Sequence, residues 1–227
     1  MQQPYQLIVF DWDGTLMDSI GRIVSSMQAT ARQLALPVPA TDAVKGIIGL
    51  SLAPAIERLF GQLAAPTYAK FLEVYRDQYV TLDTTPTPLF DGVPELLDDL
   101  RGQGYLLAVA TGKARRGLDR VMTESQLHEV FVATRCADES ASKPNPQMLH
   151  EIMQATGVTP QQTLMIGDSD HDLAMARAAN VDALAVSFGA LELTSHSHYQ
   201  QHPVLHSWHD FPQFLAQRTT ERCVVPS

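Results

Sequence analysis

Two aspartates, Asp11 and Asp13, follow directly after the apolar run Leu7–Phe10. A short apolar run with β-branched members predicts a buried strand of a parallel sheet. Side chains two positions apart in an extended chain point to the same side, so both carboxylates would face one spot. Carboxylates that close repel each other unless a cation or a shared proton relieves the repulsion. The pair therefore indicates a site that holds one or the other.

A second acidic cluster comes late in the chain, where Asp168, Asp170 and Asp172 follow the apolar run 164–166. Three carboxylates in five residues offer the hard oxygen ligands that Mg²⁺ prefers. Asp170 opens a predicted helix and is assigned to its N-cap, whereas Asp172 suits either a role at the site or the first helical turn.

Residues suited to a phosphate group lie between the two acidic clusters. Thr111 and Gly112 follow the apolar run 106–110, and Lys143 lies in a proline-rich loop. A hydroxyl, free backbone N–H groups and an ammonium together can hold phosphoryl oxygens.

Short apolar runs and amphipathic stretches alternate along most of the chain, and they must position these residues. The predicted strands are 7–10, 106–110, 164–166 and 183–186, with 130–133 as a weaker fifth. The predicted helices between them are 94–101, 146–156 and 170–179. This alternation predicts a doubly wound, mainly parallel α/β core of the Rossmann-like type, which binds ligands at the carboxyl ends of its strands.

One segment, residues 17–85, contains no good strand. Its apolar spacing predicts long helices over 20–36 and 67–82, with shorter ones over 42–48 and 52–60. A proline-rich stretch at 84–88 leads back to the alternating part. We therefore expect a discontinuous catalytic core, 1–16 and 86–227, with a helical cap domain, 17–85, inserted after the first strand.

The motifs, in the order in which they occur along the chain, resemble those of the haloacid dehalogenase superfamily. Members of this superfamily transfer phosphoryl groups through an aspartate nucleophile. The motifs are DWDGT from Asp11, the strand-end Thr111, Lys143 before a proline, and GDSDHD from Gly167. The inserted helical segment resembles the cap of the phosphoglycolate-phosphatase-like branch. The resemblance covers nearly the whole chain.

The resemblance implies a Mg²⁺-dependent phosphatase that acts on 2-phosphoglycolate or another small phosphorylated metabolite. Asp11 would be the nucleophile and form an aspartyl-phosphate. Asp13 would protonate the leaving oxygen and then activate water. The ligands of Mg²⁺ would be Asp11, the backbone carbonyl of Asp13, and Asp168.

The same resemblance assigns the remaining candidates. Lys143 would stabilise charge on the transferred group, and Thr111 with the N–H of Gly112 would bind its oxygens. Asp172 would orient Lys143 or a metal-bound water. Trp12, which stands where many members carry leucine, is added to the substrate-binding candidates.

Other activities are compatible with the same residues. A phosphomutase similar to β-phosphoglucomutase would keep the intermediate until a sugar hydroxyl accepts the phosphoryl group, and a pyrophosphatase is a further alternative. A catalytically silent binding protein would be expected to lack Asp11 or Asp13. Phosphonoacetaldehyde hydrolases and the dehalogenases themselves lack the second aspartate, so Asp13 counts against both.

Composition limits the partners that we expect. The chain has 227 residues, of which 45% are hydrophobic and 18% charged, as in globular proteins. Its 16 basic and 25 acidic residues give a net charge of −9, which disfavours nucleic acid as a partner. Two distant cysteines, the lack of a signal-peptide pattern and the lack of a membrane-length apolar run predict a soluble cytoplasmic protein with no membrane partner. We expect a monomer or a homodimer, although these features do not decide between them.

Some conspicuous residues receive a structural interpretation. Cys136 is expected to be a small, buried or half-buried residue. Three arginines are assigned to a solvated helix face, with steering of an anionic substrate as the alternative; they are Arg115, Arg116 and Arg120. Four histidines in 196–206 are assigned to a solvated loop, with metal binding as the alternative; they are His196, His198, His202 and His206.

Overall fold

The computed structural model describes residues 4–190 and 202–224, with side chains described as far as residue 219. Within these residues, strands form one parallel sheet in the order β3-β2-β1-β4-β5-β6. The strands are β1 Leu7–Phe10, β2 Leu106–Thr111, β3 Ala133–Cys136, β4 Thr163–Gly167, β5 Asp182–Val186 and β6 Val204–Leu205. Because β1 lies between β2 and β4, the carboxyl ends of these three strands meet at one edge of the sheet.

Helices cover both faces of the sheet. They are α5 Val93–Gly102, α6 Arg115–Glu124, α7 Gln147–Thr156, α8 Asp170–Ala178 and α9 Phe211–Val224. Successive residues of β1 point to opposite faces, with Ile8 and Phe10 in one apolar core and Leu7 and Val9 in the other. Helices α5, α6 and α9 complete the first core, and α7 and α8 complete the second. This arrangement confirms the predicted doubly wound α/β fold.

The strand expected at 130–133 is wrong in position, since β3 starts only at Ala133. Val130 and Phe131 instead pack against the core from the loop before this edge strand. Strand β6 and helix α9 were not predicted. The two residues of β6 are too few for an apolar run, and the mixed polarity of 211–224 obscures the helical pattern.

Between β1 and α5 lies a helical segment, residues 20–82, which we call the cap. It contains α1 Ile20–Gln33, α2 Thr41–Lys45, α3 Leu52–Phe60, α4 Ala65–Asp77 and a π-helical turn Gln78–Leu82. The helices surround an apolar core of their own that includes Met27, Ile56 and Phe71. The long helix expected over 67–82 is thus an α-helix followed by a π-helical turn.

Two connections, 13–19 and 83–89, join the cap to the sheet and run side by side. The Asp18 N–H donates to the Pro88 carbonyl at 2.9 Å, and the Phe90 N–H donates to the Leu16 carbonyl at 2.9 Å. The domain boundaries expected after residue 16 and before residue 86 fall in these connections and stay a prediction. None of the described helices is long and apolar enough to cross a membrane.

Candidate active site

A cavity of about 1050 Å³ lies between the cap and the carboxyl ends of β1 and β2. Its floor includes Asp11, Asp13, Thr111 and Gly112, and much of its wall comes from helices α1, α3 and α4 of the cap and from the loop after α2. The first acidic motif and the strand-end threonine therefore face the same space, as expected for a parallel sheet.

Three buried carboxylates meet at this edge of the sheet: Asp11, Asp168 and Asp172 offer oxygens that all lie within 4.8 Å of one another. One buried ammonium accompanies them. The Lys143 Nζ lies 2.8 Å from Asp11 Oδ1 and donates to Asp172 Oδ1 at 2.6 Å. Apart from this contact with Lys143, neither oxygen of Asp11 has a hydrogen-bond partner among the described residues. The cluster carries an excess of negative charge when all three carboxylates are ionised.

This excess of charge is reflected in the proton affinities of the cluster. Burial, reinforced by Asp172 and opposed by Lys143, raises the pKa of Asp11 from 3.8 to about 7. Burial and the charge of Asp11 also raise the pKa of Asp168 well above its ordinary value. For Lys143, burial acts to lower the pKa, but the carboxylates of Asp11 and Asp172 outweigh it and the pKa is raised. The cluster is therefore short of positive charge.

Asp168 is fixed by groups from two separate loops. Its Oδ1 accepts a hydrogen bond from Thr15 Oγ1 at 3.2 Å, and its Oδ2 accepts one from the Ala190 N–H at 2.6 Å. Gly14 has a φ of +75°, and a Cβ there would lie 2.2 Å from Asp168 Oδ2. The glycine of the first motif thus leaves room for the aspartate of the last.

Asp172 takes part in both roles that the sequence left open. Its Oδ2 accepts hydrogen bonds from the N–H and the Oγ of Ser169, at 3.1 and 2.6 Å. The Asp172 N–H donates to Ser169 Oγ at 3.3 Å, and this bond and the one from the Ser169 N–H form a capping box at the start of α8. Its other oxygen holds Lys143. The N-cap is therefore Ser169, and the assignment of Asp170 to that position is wrong, because Asp170 is the first residue within the helix.

The side chain of Asp13 lies apart from the carboxylate cluster. Its Oδ1 is 2.9 Å from Lys113 Nζ and accepts a hydrogen bond from Ser19 Oγ at 2.5 Å. The Lys113 Nζ also donates to the Tyr79 hydroxyl of the cap at 3.4 Å. Sequence reasoning did not single out Lys113 as a partner of Asp13, although a cation two residues after Thr111 was a usable signal.

Thr111 and Gly112 lie where the cap meets the sheet. Thr111 is fully buried at the end of β2, and its Oγ1 accepts a hydrogen bond from the Lys113 N–H at 3.3 Å. A Cβ on Gly112 would lie 2.6 Å from the carbonyl oxygen of Leu50 in the cap. The Ser51 N–H donates to Ser142 Oγ at 3.1 Å across the same boundary. Glycine at 112 therefore permits the cap to approach the motif loops closely.

The indole of Trp12 does not face the cavity, which corrects its assignment to substrate binding. It is fully buried in the apolar core, its Nε1 donates to Met17 Sδ at 3.4 Å, and its ring lies 6.2 Å from that of Phe131. Trp12 instead anchors the motif backbone between its two aspartates.

Cys136 is also buried, and burial raises the pKa of its thiol to about 12.

The three arginines of α6 differ in their surroundings. Arg115 pairs with Glu139 at 2.7 Å, and Arg120 pairs with Glu124 at 2.8 Å. Arg116 is exposed and lines the cavity. In the histidine-containing segment, His206 Nδ1 lies 2.8 Å from Ser187 Oγ, while His196 and His198 lie outside the described residues.

The sequence model of the haloacid dehalogenase-like hydrolases matches residues 8–186. The probable phosphatase IndB of Dickeya dadantii is 36% identical over 193 residues, which cover 81% of each protein. The phosphoglycolate phosphatase of Psychrobacter arcticus is 28% identical over 193 residues, which cover 81% of this chain and 84% of the relative. The range 8–186 includes the four motifs described above.

Solved structures have the same fold. The crystal structure of a predicted phosphoglycolate phosphatase from Haemophilus somnus superposes with a TM-score of 0.83 at 22% identity. The superposition covers 94% of this chain and 99% of that one.

Proposed function

The chain belongs to the haloacid dehalogenase-like hydrolases, and on that premise we propose that it hydrolyses a small phosphate monoester with Mg²⁺ bound and Asp11 as the nucleophile. Its relatives support a hydrolase that acts on phosphate esters. The observation that carries the proposal is the Asp11 side chain, since it is a buried carboxylate that faces the cavity and has Lys143 as its one close partner among the described residues.

The donor set fits a hard divalent cation. Three buried carboxylates share the single ammonium of Lys143. Burying charges without a partner costs free energy, and a bound cation offsets that cost. Asp11 and Asp168, with the backbone carbonyl of Asp13, would hold Mg²⁺, and Asp172 is close enough to take part. When bound, Mg²⁺ supplies positive charge that keeps Asp11 ionised and offsets the charge of the phosphoryl group.

Asp11 would act in the first step of hydrolysis. A carboxylate oxygen attacks phosphorus, the bond from phosphorus to the ester oxygen breaks, and an aspartyl-phosphate forms. Thr111 and the N–H of Gly112 would bind phosphoryl oxygens at the end of β2. Lys143 lies between Asp11 and Asp172, where its charge would stabilise the transferring group.

Asp13 would move the protons. It gives a proton to the leaving ester oxygen and then takes one from the water that attacks the aspartyl-phosphate. Lys113 and Ser19 would position it, because both hold the same carboxylate oxygen. The cap, which meets the sheet at Gly112, would exclude bulk water from the cavity.

The proposal is tested by phosphate release from a panel of phosphate monoesters, with Mg²⁺ and with a chelator. We expect metal-dependent release that falls by at least about 10³-fold in Asp11→Asn, because the nucleophile is lost. Asp18→Asn is the matched control, since Asp18 is an exposed aspartate in the same segment. Equal release by the native chain and Asp11→Asn would refute the proposal.

A further inference from the structure

Most of the cap residues that line the cavity are apolar, and we propose that the alcohol portion of the substrate is a bulky apolar group, aromatic in character. The inference rests on the proposed phosphatase function and narrows its substrate. It concerns the leaving alcohol of the ester, which lies on the cap side of the cavity when the phosphoryl group is at Asp11.

Apolar side chains from several elements of the cap line the cavity. They include Ile23 and Met27 of α1, Ile47 and Ile48 after α2, Ala55 of α3 and Leu72 of α4. A cavity of about 1050 Å³ is slightly larger than the range of about 300–1,000 Å³ that holds drug-sized ligands. A two-carbon ester such as phosphoglycolate would leave most of this apolar wall in contact with water, whereas a larger apolar group would bury it.

Two aromatic rings add to this wall. Tyr75 and Tyr79 both line the cavity, with ring centroids 6.0 Å apart. Tyr75 also stacks on Phe71 at 6.4 Å and 19°, so its ring is held in place by the cap core. Lys113 Nζ already lies over the Tyr79 ring at 5.2 Å, so Tyr75 is the ring of this pair that a further aromatic group would contact.

The charges of the cavity do not favour a small carboxylate in the same position. Lys113, the cation beside Asp13, is engaged by Asp13 and by the Tyr79 hydroxyl. Arg120 is paired with Glu124, and Arg76, which also lines the cavity, lies 3.7 Å from Asp77. Arg116 makes no ion pair among the described residues, but it is exposed, where attraction to an anion is screened by solvent.

Three esters of primary alcohols separate recognition from the reactivity of the leaving group. They are ethyl phosphate, phosphoglycolate and 2-phenylethyl phosphate, each assayed as kcat/KM with saturating Mg²⁺. We expect 2-phenylethyl phosphate to exceed both others by at least about tenfold, the discrimination that one or two apolar groups give in a hydrophobic pocket.

Two variants test whether the cap wall is responsible. Ala53→Trp fills the cavity from an exposed position on α3, and Glu57→Trp is its control, one turn further along α3 and outside the lining. Ala53→Trp should lower kcat/KM for 2-phenylethyl phosphate at least tenfold and leave ethyl phosphate within about twofold. Leu72→Lys, which adds a cation to the wall, should lower the preference for 2-phenylethyl phosphate over phosphoglycolate at least tenfold.

The outcomes distinguish this inference from the function on which it rests. Turnover of phosphoglycolate that equals or exceeds that of 2-phenylethyl phosphate would overturn the inference and leave the phosphatase function intact. Equal losses for all three esters in Ala53→Trp would also overturn it. No Mg²⁺-dependent release from any of the three would overturn both.

Discussion

Replacing Asp11 by asparagine is expected to stabilise the metal-free protein while it abolishes catalysis. Asp11 is buried, and its pKa is raised from 3.8 to about 7. Folding therefore favours the protonated carboxyl group. The contribution of this protonated carboxyl group to the free energy of unfolding is fully present below pH 3.8. It is lost as the pH rises toward about 7 and is absent above that pH.

The size of the effect follows from the same pKa. A rise from 3.8 to about 7 corresponds to an ionisation penalty of about 4 kcal/mol at pH 8, and to about a third of that at pH 5. Asparagine resembles the protonated carboxyl group and does not carry the penalty. For a chain of this size, a gain of about 4 kcal/mol raises the melting temperature by roughly 10 °C.

Urea unfolding measures the difference in the free energy of unfolding between the native chain and Asp11→Asn, with Asp18→Asn as the control. Each protein is unfolded in the presence of a chelator at pH 5 and at pH 8. Asp11→Asn should be more stable than the native chain at pH 8, and the gap should narrow at pH 5. Mg²⁺ should stabilise the native chain far more than the variant. A variant less stable than the native chain at pH 8 would refute the argument that Asp11 is held in an excess of negative charge.

Three further variants test separate parts of the site. Lys113→Met should lower kcat by about 10²-fold because Asp13 loses the ammonium that holds it. Lys113→Arg should recover much of the rate. An unchanged kcat in Lys113→Met would contradict the role of Lys113 in positioning Asp13. Gly112→Ala should lower kcat/KM at least about tenfold, with a melting temperature within a few degrees of the native value, because its Cβ would meet the Leu50 carbonyl of the cap. Ser169→Ala should reduce the free energy of unfolding with Mg²⁺ by about 1 kcal/mol because it removes one half of the capping box; no loss would show that the remaining half suffices.

Much of the fold could be predicted because the interior strands carry uninterrupted apolar runs. Strand β1 is buried along its whole length, so each of its residues had to be apolar, and the pattern is strong. Edge strands lack this constraint. Strand β3 is only partly buried, and the apolar residues 130–132 before it gave a stronger signal than the strand itself.

The candidate site could be predicted as far as its motifs extend. Its residues lie at strand ends or in motif loops: Asp11, Thr111, Lys143 and Asp168. Parallel strands bring these positions together at one edge of the sheet. The same argument could have identified the partner of Asp13, because Lys113 follows β2, the parallel neighbour of β1, two residues after Thr111. The contact of the same ammonium with Tyr79 of the cap could not be predicted, since a long-range contact of this kind leaves no periodic pattern.

Trp12 shows the opposite error. Its place between two functional aspartates suggested contact with substrate, but the alternation of side chains after β1 directs the indole into the core. A residue inside a functional motif can thus serve the fold alone.

The central claim is that Asp11 carries the phosphoryl group during turnover. The native chain is mixed with Mg²⁺ and the best ester of the panel, quenched in acid, and reduced with borohydride, which converts an acyl phosphate to an alcohol. Peptide mass spectrometry should find residue 11 reduced to homoserine in the native chain and unmodified in Asp11→Asn. Sustained phosphate release with no modification of Asp11 would contradict the account.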